Sequence, residues 1–232
     1  MEYTKREILL AVLKETTELN PAKIEDISRE AHVPRDLAKN LLKEFSENGL
    51  LKLDGETVFV SWGQRLKIAL KAVELGSDIE RVARFLTWEE FEKFSKISFE
   101  ENGFTVKTNF HFTWLKKRWE IDILGIKKPL IISADCKHWR RRWSGSASLK
   151  AVEKQIERTR SLAEASKHLI DKIGIGGWKY AYFIPVVLSL FPSQSKFHER
   201  TPIVPILSLS DFLQNVMVHL EDINVFYISY NA

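Results

Sequence analysis

Cysteine is almost absent: one residue, Cys136, in a chain of 232. That excludes an intramolecular disulfide and a multi-cysteine zinc site, leaves packing to stabilise the scaffold, and fits a reducing compartment. No run of about 18 apolar residues occurs, so no membrane span is expected. The opening Met1-Glu2-Tyr3-Thr4-Lys5-Arg6 leads into an amphipathic stretch rather than a secretory signal, and the expectation is a cytoplasmic protein. Internal repeats, low-complexity tracts and long Gly/Ser linkers are missing too, which predicts modules joined rigidly rather than by a tether. Charge of one sign is scarce: Lys+Arg 35 against Asp+Glu 31 gives only +4, so partners must be read from local clusters. What is present, 44% hydrophobic and 28% charged residues, excludes general disorder and supplies a core divided between two modules.

Ile8, Leu9, Val12 and Leu13 recur at helical spacing and predict a helix ending before Asn20-Pro21. Ile24, Ile27 and Ala31 mark a second helix. A third follows Val33-Pro34, carries Leu37, Leu41, Leu42 and Phe45 on one side, and stops at Asn48-Gly49. Asp54-Gly55 between two β-forming runs predicts a hairpin. Three short helices and a hairpin resemble a winged helix-turn-helix domain, here over residues 1–62. The resemblance implies a third helix that enters the DNA major groove and presents Arg35, Lys39 and Lys43. Protein docking and scaffolding are the other roles such domains serve, and Asp36 and Glu44 dilute the positive field. Residues 63–86 read as a helical connector broken at Gly76-Ser77.

From residue 87 the pattern changes. Thr87-Trp88-Glu89-Glu90 has the form of a capping box opening a helix that ends at Asn102-Gly103. Strands are predicted over 104–108, 118–124 and 130–137. In the last of these Asp135 and Lys137 share a face, since side chains at i and i+2 do so in a strand. A reversal at Lys128-Pro129 would set Asp122 opposite Asp135. Two carboxylates that close repel unless a cation sits between them, and a hard divalent ion suits oxygen ligands.

Glu120-Ile121-Asp122 followed by Asp135-Cys136-Lys137 resembles the PD-(D/E)xK nuclease signature. The Phe91-Glu92 pair and Gly103 resemble Mrr-like restriction endonucleases and archaeal Holliday junction resolvases. The resemblance implies a restriction-endonuclease-like αβββαβ core, preceded by the α+β winged-helix domain, with the nuclease-like domain over 87–232. It implies Mg²⁺ or Mn²⁺ held by Asp122, Asp135 and the Cys136 carbonyl, with Lys137 and Glu92 as further catalytic groups and Glu89 as the fallback for Glu92. Asp-x-Lys stands here where the Mrr group often has Gln-x-Lys. By resemblance to RecB-like nucleases, Gln155 would support the site from the next helix, although a solvent-facing glutamine is the commoner case.

Basic and aromatic clusters flank these residues: Trp114-Leu115-Lys116-Lys117-Arg118-Trp119 before, His138-Trp139-Arg140-Arg141-Arg142-Trp143 after. With Lys150, Lys154 and Arg158 they would form a cationic rim for phosphates. The tryptophans could stack on bases or pack in the core. Beyond them, Tyr180 to Leu188 reads as a strand interrupted by Pro185, hence a strand end or an edge, and Ser210 as the cap of a helix through Leu220. Cys136 reads as a small buried residue rather than a nucleophile. Together these point to a Mg²⁺-dependent DNA endonuclease, with a homodimer the simplest way to cut both strands. The alternative is a non-catalytic DNA-binding or regulatory protein on the same fold.

Overall fold

The computed structural model describes residues 1–137, 146–190 and 195–230, with only the backbone of 146–148. The chain is mixed α/β and divides into two compact units, Met1–Glu90 and Phe91–Ala232. The first is helical with a small sheet: α1 (Glu2–Glu15), β1 (Ala22–Lys23), α2 (Ile24–Ala31), α3 (Arg35–Glu47), β2 (Lys52–Asp54), β3 (Thr57–Phe59), α4 (Trp62–Glu74) and α5 (Ile79–Ala83). Ile8 to Leu13 of α1 are all buried, and they pack with Ile24 and Ile27 of α2 among the core residues. β1, which the sequence pattern did not suggest, adds a third strand in the order β1-β3-β2. Asp54 pairs with Thr57, so the hairpin turn is Gly55-Glu56, with Gly55 at φ 57.

Residues 63–86 lie within this first unit, and Arg65 among them is buried there. Its side chain is 1% exposed and needs every donor satisfied. It donates to Leu13 O (2.9 Å), Thr16 O, Phe85 O (2.6 Å) and the Glu90 carboxylate. Two of those acceptors lie at the carbonyl-rich C-terminal end of α1, where a cation is favoured. Glu90 in turn accepts from the Thr87 N–H (2.7 Å) while Thr87 Oγ1 accepts from the Glu90 N–H (3.2 Å), a reciprocal cap at the start of α6 (Trp88–Glu101).

The second unit continues through β4 (Thr105–Trp114), β5 (Lys117–Lys127), β6 (Leu130–Lys137), α7 (Ser146–Ala165), α8 (Ile170–Ile173), β7 (Tyr180–Ser189), β8 (Phe197–His198), β9 (Thr201–Pro205), α9 (Leu209–Asn215) and β10 (Phe226–Ser229). A seven-stranded mixed sheet runs β4-β5-β6-β7-β9-β8, with β10 also on β7. β4 is twice its expected length. It turns through Leu115-Lys116, both with left-handed φ (47 and 64), straight into β5. Because side chains alternate, Leu124 and Ile126 join a core with Leu162, Ala163 and Ala165 of α7, while Gly125 faces α6 on the other side. α9 begins at Leu209 and ends at Asn215, so Ser210 lies inside it rather than capping it, and it stops short of Leu220.

Pro185 corrects the edge-strand expectation. β7 is central, parallel to β6 and to β9. The Tyr182 N–H donates toward the β6 side, to Pro129 O, so by alternation position 185 points its nitrogen at the opposite edge. There β10 covers 180–183 and β9 begins at Val187, leaving Pro185 in the gap between them, where no N–H is required.

Gly125 sets how closely α6 approaches the sheet. A Cβ there would lie 2.5 Å from two ring carbons of Phe99, a fully buried side chain packed edge-to-face on Phe104 at 5.5 Å. Gly125→Ala should therefore destabilise the protein by about 1–3 kcal/mol, from overpacking. Chemical denaturation would check this, and unchanged stability would mean that Phe99 can move aside freely.

Candidate metal centre

Asp122, Asp135 and Lys137 are brought together at the C-terminal end of β6. The β5–β6 ladder pairs Ile123 with Ala134, and one more step along that register sets Asp122 opposite Asp135. The ladder stops before that step. Instead the Asp122 side chain takes over: its Oδ2 accepts from the Cys136 N–H at 2.7 Å. On the other side of β5 the β4 ladder also lapses, because Asn109, opposite Asp122, adopts φ 50 and drops out of the pairing. Asp122 thus sits where the sheet opens on both flanks, with its carboxylate turned to the β6 side.

Asp135 is buried, its side chain 3% exposed, and two cations hold it. Arg158 on α7 donates to Oδ1 at 2.7 Å, and Lys137 Nζ lies 2.8 Å from Oδ2. The Oδ2 contact is an ion pair without hydrogen-bond alignment, so among the described residues that buried oxygen has no hydrogen-bond donor. A network on α7 positions Arg158. Gln155, fully buried, donates to Ser133 O (2.7 Å) and Oγ (3.0 Å), and its Oε1 accepts from Arg158 at 2.7 Å. Neither residue belongs to a solvent-facing cationic strip. Ser133, Asp135 and Lys137 share one face of β6, so Gln155 ties α7 to the strand beside the acid.

Burial pushes the Asp122 carboxyl above its ordinary value. The Cys136 N–H opposes that shift, the Asp135 charge adds to it, and the Lys137 and Arg158 charges oppose it. Cys136 is buried, and its thiol is pushed well up, first by burial and then by the charges of Asp122, Asp135 and Glu92. It is therefore a protonated, inert group at neutral pH. Glu92 is exposed on α6 and near enough for its charge to act on Cys136. Glu89 belongs to the first unit.

The donor set fits a hard divalent ion. Two carboxylates, one with a buried oxygen that has no hydrogen-bond donor among the described residues and the other with burial and a neighbouring negative charge resisting its ionisation, are what such a cation would relieve. Asp122, Asp135 and the Cys136 carbonyl are the groups that would hold it. Against this, Arg158 and Lys137 already supply two positive charges to the two acids.

The basic residues are unequally free. Lys116 and Arg118 are exposed at the tip of the β4–β5 hairpin. Lys117 binds Glu157 at 2.8 Å and lies 3.8 Å above the Trp119 ring. Trp119 is buried and stacked on Phe112, and Trp114 donates to Glu164, so both pack inward. Lys150 and Lys154 are exposed on α7. In the first unit Arg35 and Lys39 both bind Glu56, at 2.7 and 2.6 Å, and Lys43 lies 4.0 Å from Glu47. The Lys39 hydrogen bond, followed by the charges of Arg35 and Lys39, holds Glu56 below the usual carboxylate range. His138 to Trp143, with Arg140, Arg141 and Arg142, lie outside the described residues. Arg158 is the residue whose place sequence reasoning missed; its spacing from Gln155 on one helix was the available signal.

No known family profile matches the chain. An uncharacterized protein of Archaeoglobus fulgidus is 28% identical over 137 residues, which cover 59% of this chain and 97% of that protein. Among solved structures, AF1548, a protein of unknown function, aligns with 43% of this chain and 46% of its own at 17% identity and a TM-score of 0.28. VC1899 from Vibrio cholerae aligns with 95% of this chain and 51% of its own at 13% identity and a TM-score of 0.36. The chain therefore spans about half the length of each solved protein it matches. No helix among the described residues is long and apolar enough to cross a membrane.

The raised Asp122 value has a consequence for stability. A carboxyl whose folded pKa exceeds its unfolded one contributes stability at low pH and loses it as pH rises through the folded value. In metal-free protein at pH 7, Asp122→Asn should be as stable as the parent or more so, and should flatten that pH dependence. Thermal melts in EDTA from pH 4 to 8 would show it. A loss above about 1 kcal/mol would mean instead that the bond from Cys136 N–H to the ionised carboxylate is a net stabiliser.

Proposed function

We propose that the chain is a Mg²⁺- or Mn²⁺-dependent DNA endonuclease of the PD-(D/E)xK type. In this reading 91–189 form the restriction-endonuclease-like core, and the helices and hairpin of the first unit form a winged-helix module. The order α6-β4-β5-β6-α7-β7 supports it, as it repeats the αβββαβ arrangement of such cores. The observation that carries the proposal is the pair of acids: Asp122 turned across to Cys136 N–H, and Asp135 beside it with Lys137 at 2.8 Å.

The bound ion would supply Lewis acidity toward a phosphodiester oxygen. The chain's own residues do the rest. Lys137 is 32% exposed, the more accessible member of the Asp135 pair, and can turn to hold the attacking water by hydrogen bond while offsetting charge that builds on phosphorus. As water adds and the P–O bond breaks, its proton passes to a nearby base, for which exposed Glu92 is available. Arg158, fixed by Gln155, holds Asp135 in its orientation. Lys116, Arg118, Lys150 and Lys154 line the approach as phosphate contacts that carry no sequence information. Two-fold pairing of chains would let each centre address one strand.

A second reading has its own observation. Arg158 and Lys137 already occupy both oxygens of Asp135, so the two acids are balanced without a metal. That arrangement favours a DNA-binding or regulatory protein that has kept the fold and lost the reaction.

Cleavage of plasmid, branched and single-stranded DNA in Mg²⁺ separates the two. Asp122→Asn should abolish cutting and Lys137→Ala should reduce it by about 10²-fold or more. Cutting that survives in either variant would overturn the assignment, and a wild-type protein that binds but never cuts would establish the second reading. For the first unit, Glu56→Gln should release Arg35 and Lys39, tighten DNA binding and steepen the slope of log affinity against log salt by about 1–2. An unchanged salt slope would remove α3 from the DNA surface.

A further inference from the structure

The edge hairpin of the large sheet carries a cluster that the nuclease reading does not use. β8 and β9 pair through Phe197 with Pro202 and His198 with Thr201, leaving Glu199-Arg200 as a two-residue turn with left-handed φ of 47 and 60. The turn is anchored from outside: the Arg200 guanidinium donates to Asp222 O at 3.1 Å, and Arg200 O accepts from the Asn224 N–H at 2.8 Å. Beside it in the sheet, Ile203 of β9 packs with Val152 and Ile156 of α7 and Val187 of β7.

At that contact, one ligand atom each from Glu153, His198 and Glu199 lies within 4.8 Å of the other two. A second observation concerns the imidazole alone. His198 Nε2 is shielded from solvent and has no hydrogen-bond partner among the described residues, although Glu153 and Glu199 are exposed. A histidine with an unpartnered ring nitrogen, one of whose nitrogens lies within 4.8 Å of two carboxylate oxygens that gain nothing from each other's company, is an arrangement that one cation would complete.

We propose that Glu153, His198 and Glu199 bind one Zn²⁺ ion. Imidazole nitrogen with two carboxylate oxygens suits a borderline ion, whereas Mg²⁺ takes oxygen ligands. Three protein ligands and a water complete the tetrahedral shell that Zn²⁺ prefers at about 2.0–2.2 Å, reached here by rotation of the exposed glutamates. The ion clamps the short edge hairpin to α7, two residues ahead of Gln155. The site involves neither Asp122 nor Asp135 and stands whether or not the chain cleaves DNA.

The test is calorimetric titration of chelator-stripped full-length protein with ZnCl₂, paired with thermal melts. With Mg²⁺ in excess to fill the Asp122–Asp135 centre, wild type should bind one equivalent of Zn²⁺ and melt higher with it than without. His198→Ala and Glu153→Gln should each weaken binding at least about tenfold and lose the melting shift, while Asp122→Asn retains both. Glu153 is exposed on a helix, so its variant carries the test even if His198→Ala folds poorly. A wild type that takes up no Zn²⁺, a Glu153→Gln protein that binds as tightly as wild type, or loss of the ion in Asp122→Asn would each overturn the proposal.

Discussion

The buried carboxylate of Asp135, gripped by Arg158 at 2.7 Å and Lys137 at 2.8 Å, is the interaction around which the larger unit is arranged. A carboxyl group at 3% exposure is tolerated only if its polar atoms are answered on the spot. The answer comes from two elements at once. Lys137 comes from the same strand, and Arg158 comes from a helix that must be docked to deliver it. Gln155 makes that docking specific by bonding Ser133 and Arg158 together. The helix position, the strand end and the charge state are thus one coupled system, in which no member can be removed without exposing or orphaning another.

Asp122 is the member of that system under strain. It stands where the β5–β6 and β4–β5 ladders both lapse, and it substitutes its own carboxylate for a missing backbone acceptor at Cys136. Burial and the Asp135 charge work against its ionisation. A carboxyl whose ionisation is resisted by burial and a neighbouring charge is what a cation would relieve, and the proposed hydrolase reading rests on this. The same charges also explain why the alternative has weight: the arginine and lysine that stabilise the metal-free state must share Asp135 with any ion that enters. Away from the centre, Glu56 holds Arg35 and Lys39 as Arg158 holds Asp135, so the first unit keeps its basic face partly masked.

Much of this was legible in the residues. Alternation along 130–137 put Asp135 and Lys137 on one face, the reversal at Lys128-Pro129 set the register toward Asp122, and Thr87 with Glu90 made the expected reciprocal cap. Other features left no local trace. The sequence shows only half of β4 because its turn, Leu115-Lys116, uses left-handed φ without glycine or asparagine. Pro185 pointed to an edge, since a sequence does not disclose that two partner strands can meet end to end and leave a gap between them. Arg158 looked like a surface cation because its partner lies 23 positions away in the chain and is reached only once α7 docks. Arg65 was hidden for the same reason, since it finds its acceptors in α1, about fifty residues earlier.

The central claim is that Asp122 and Asp135 share one divalent ion, and the most direct measurement is anomalous diffraction from crystals grown with Mn²⁺. The account predicts an anomalous peak ligated by Asp122, Asp135 and the Cys136 carbonyl, with Lys137 turned away from Asp135 Oδ2. Crystals at saturating Mn²⁺ with no peak there, and with Arg158 and Lys137 still closed on Asp135, would contradict it.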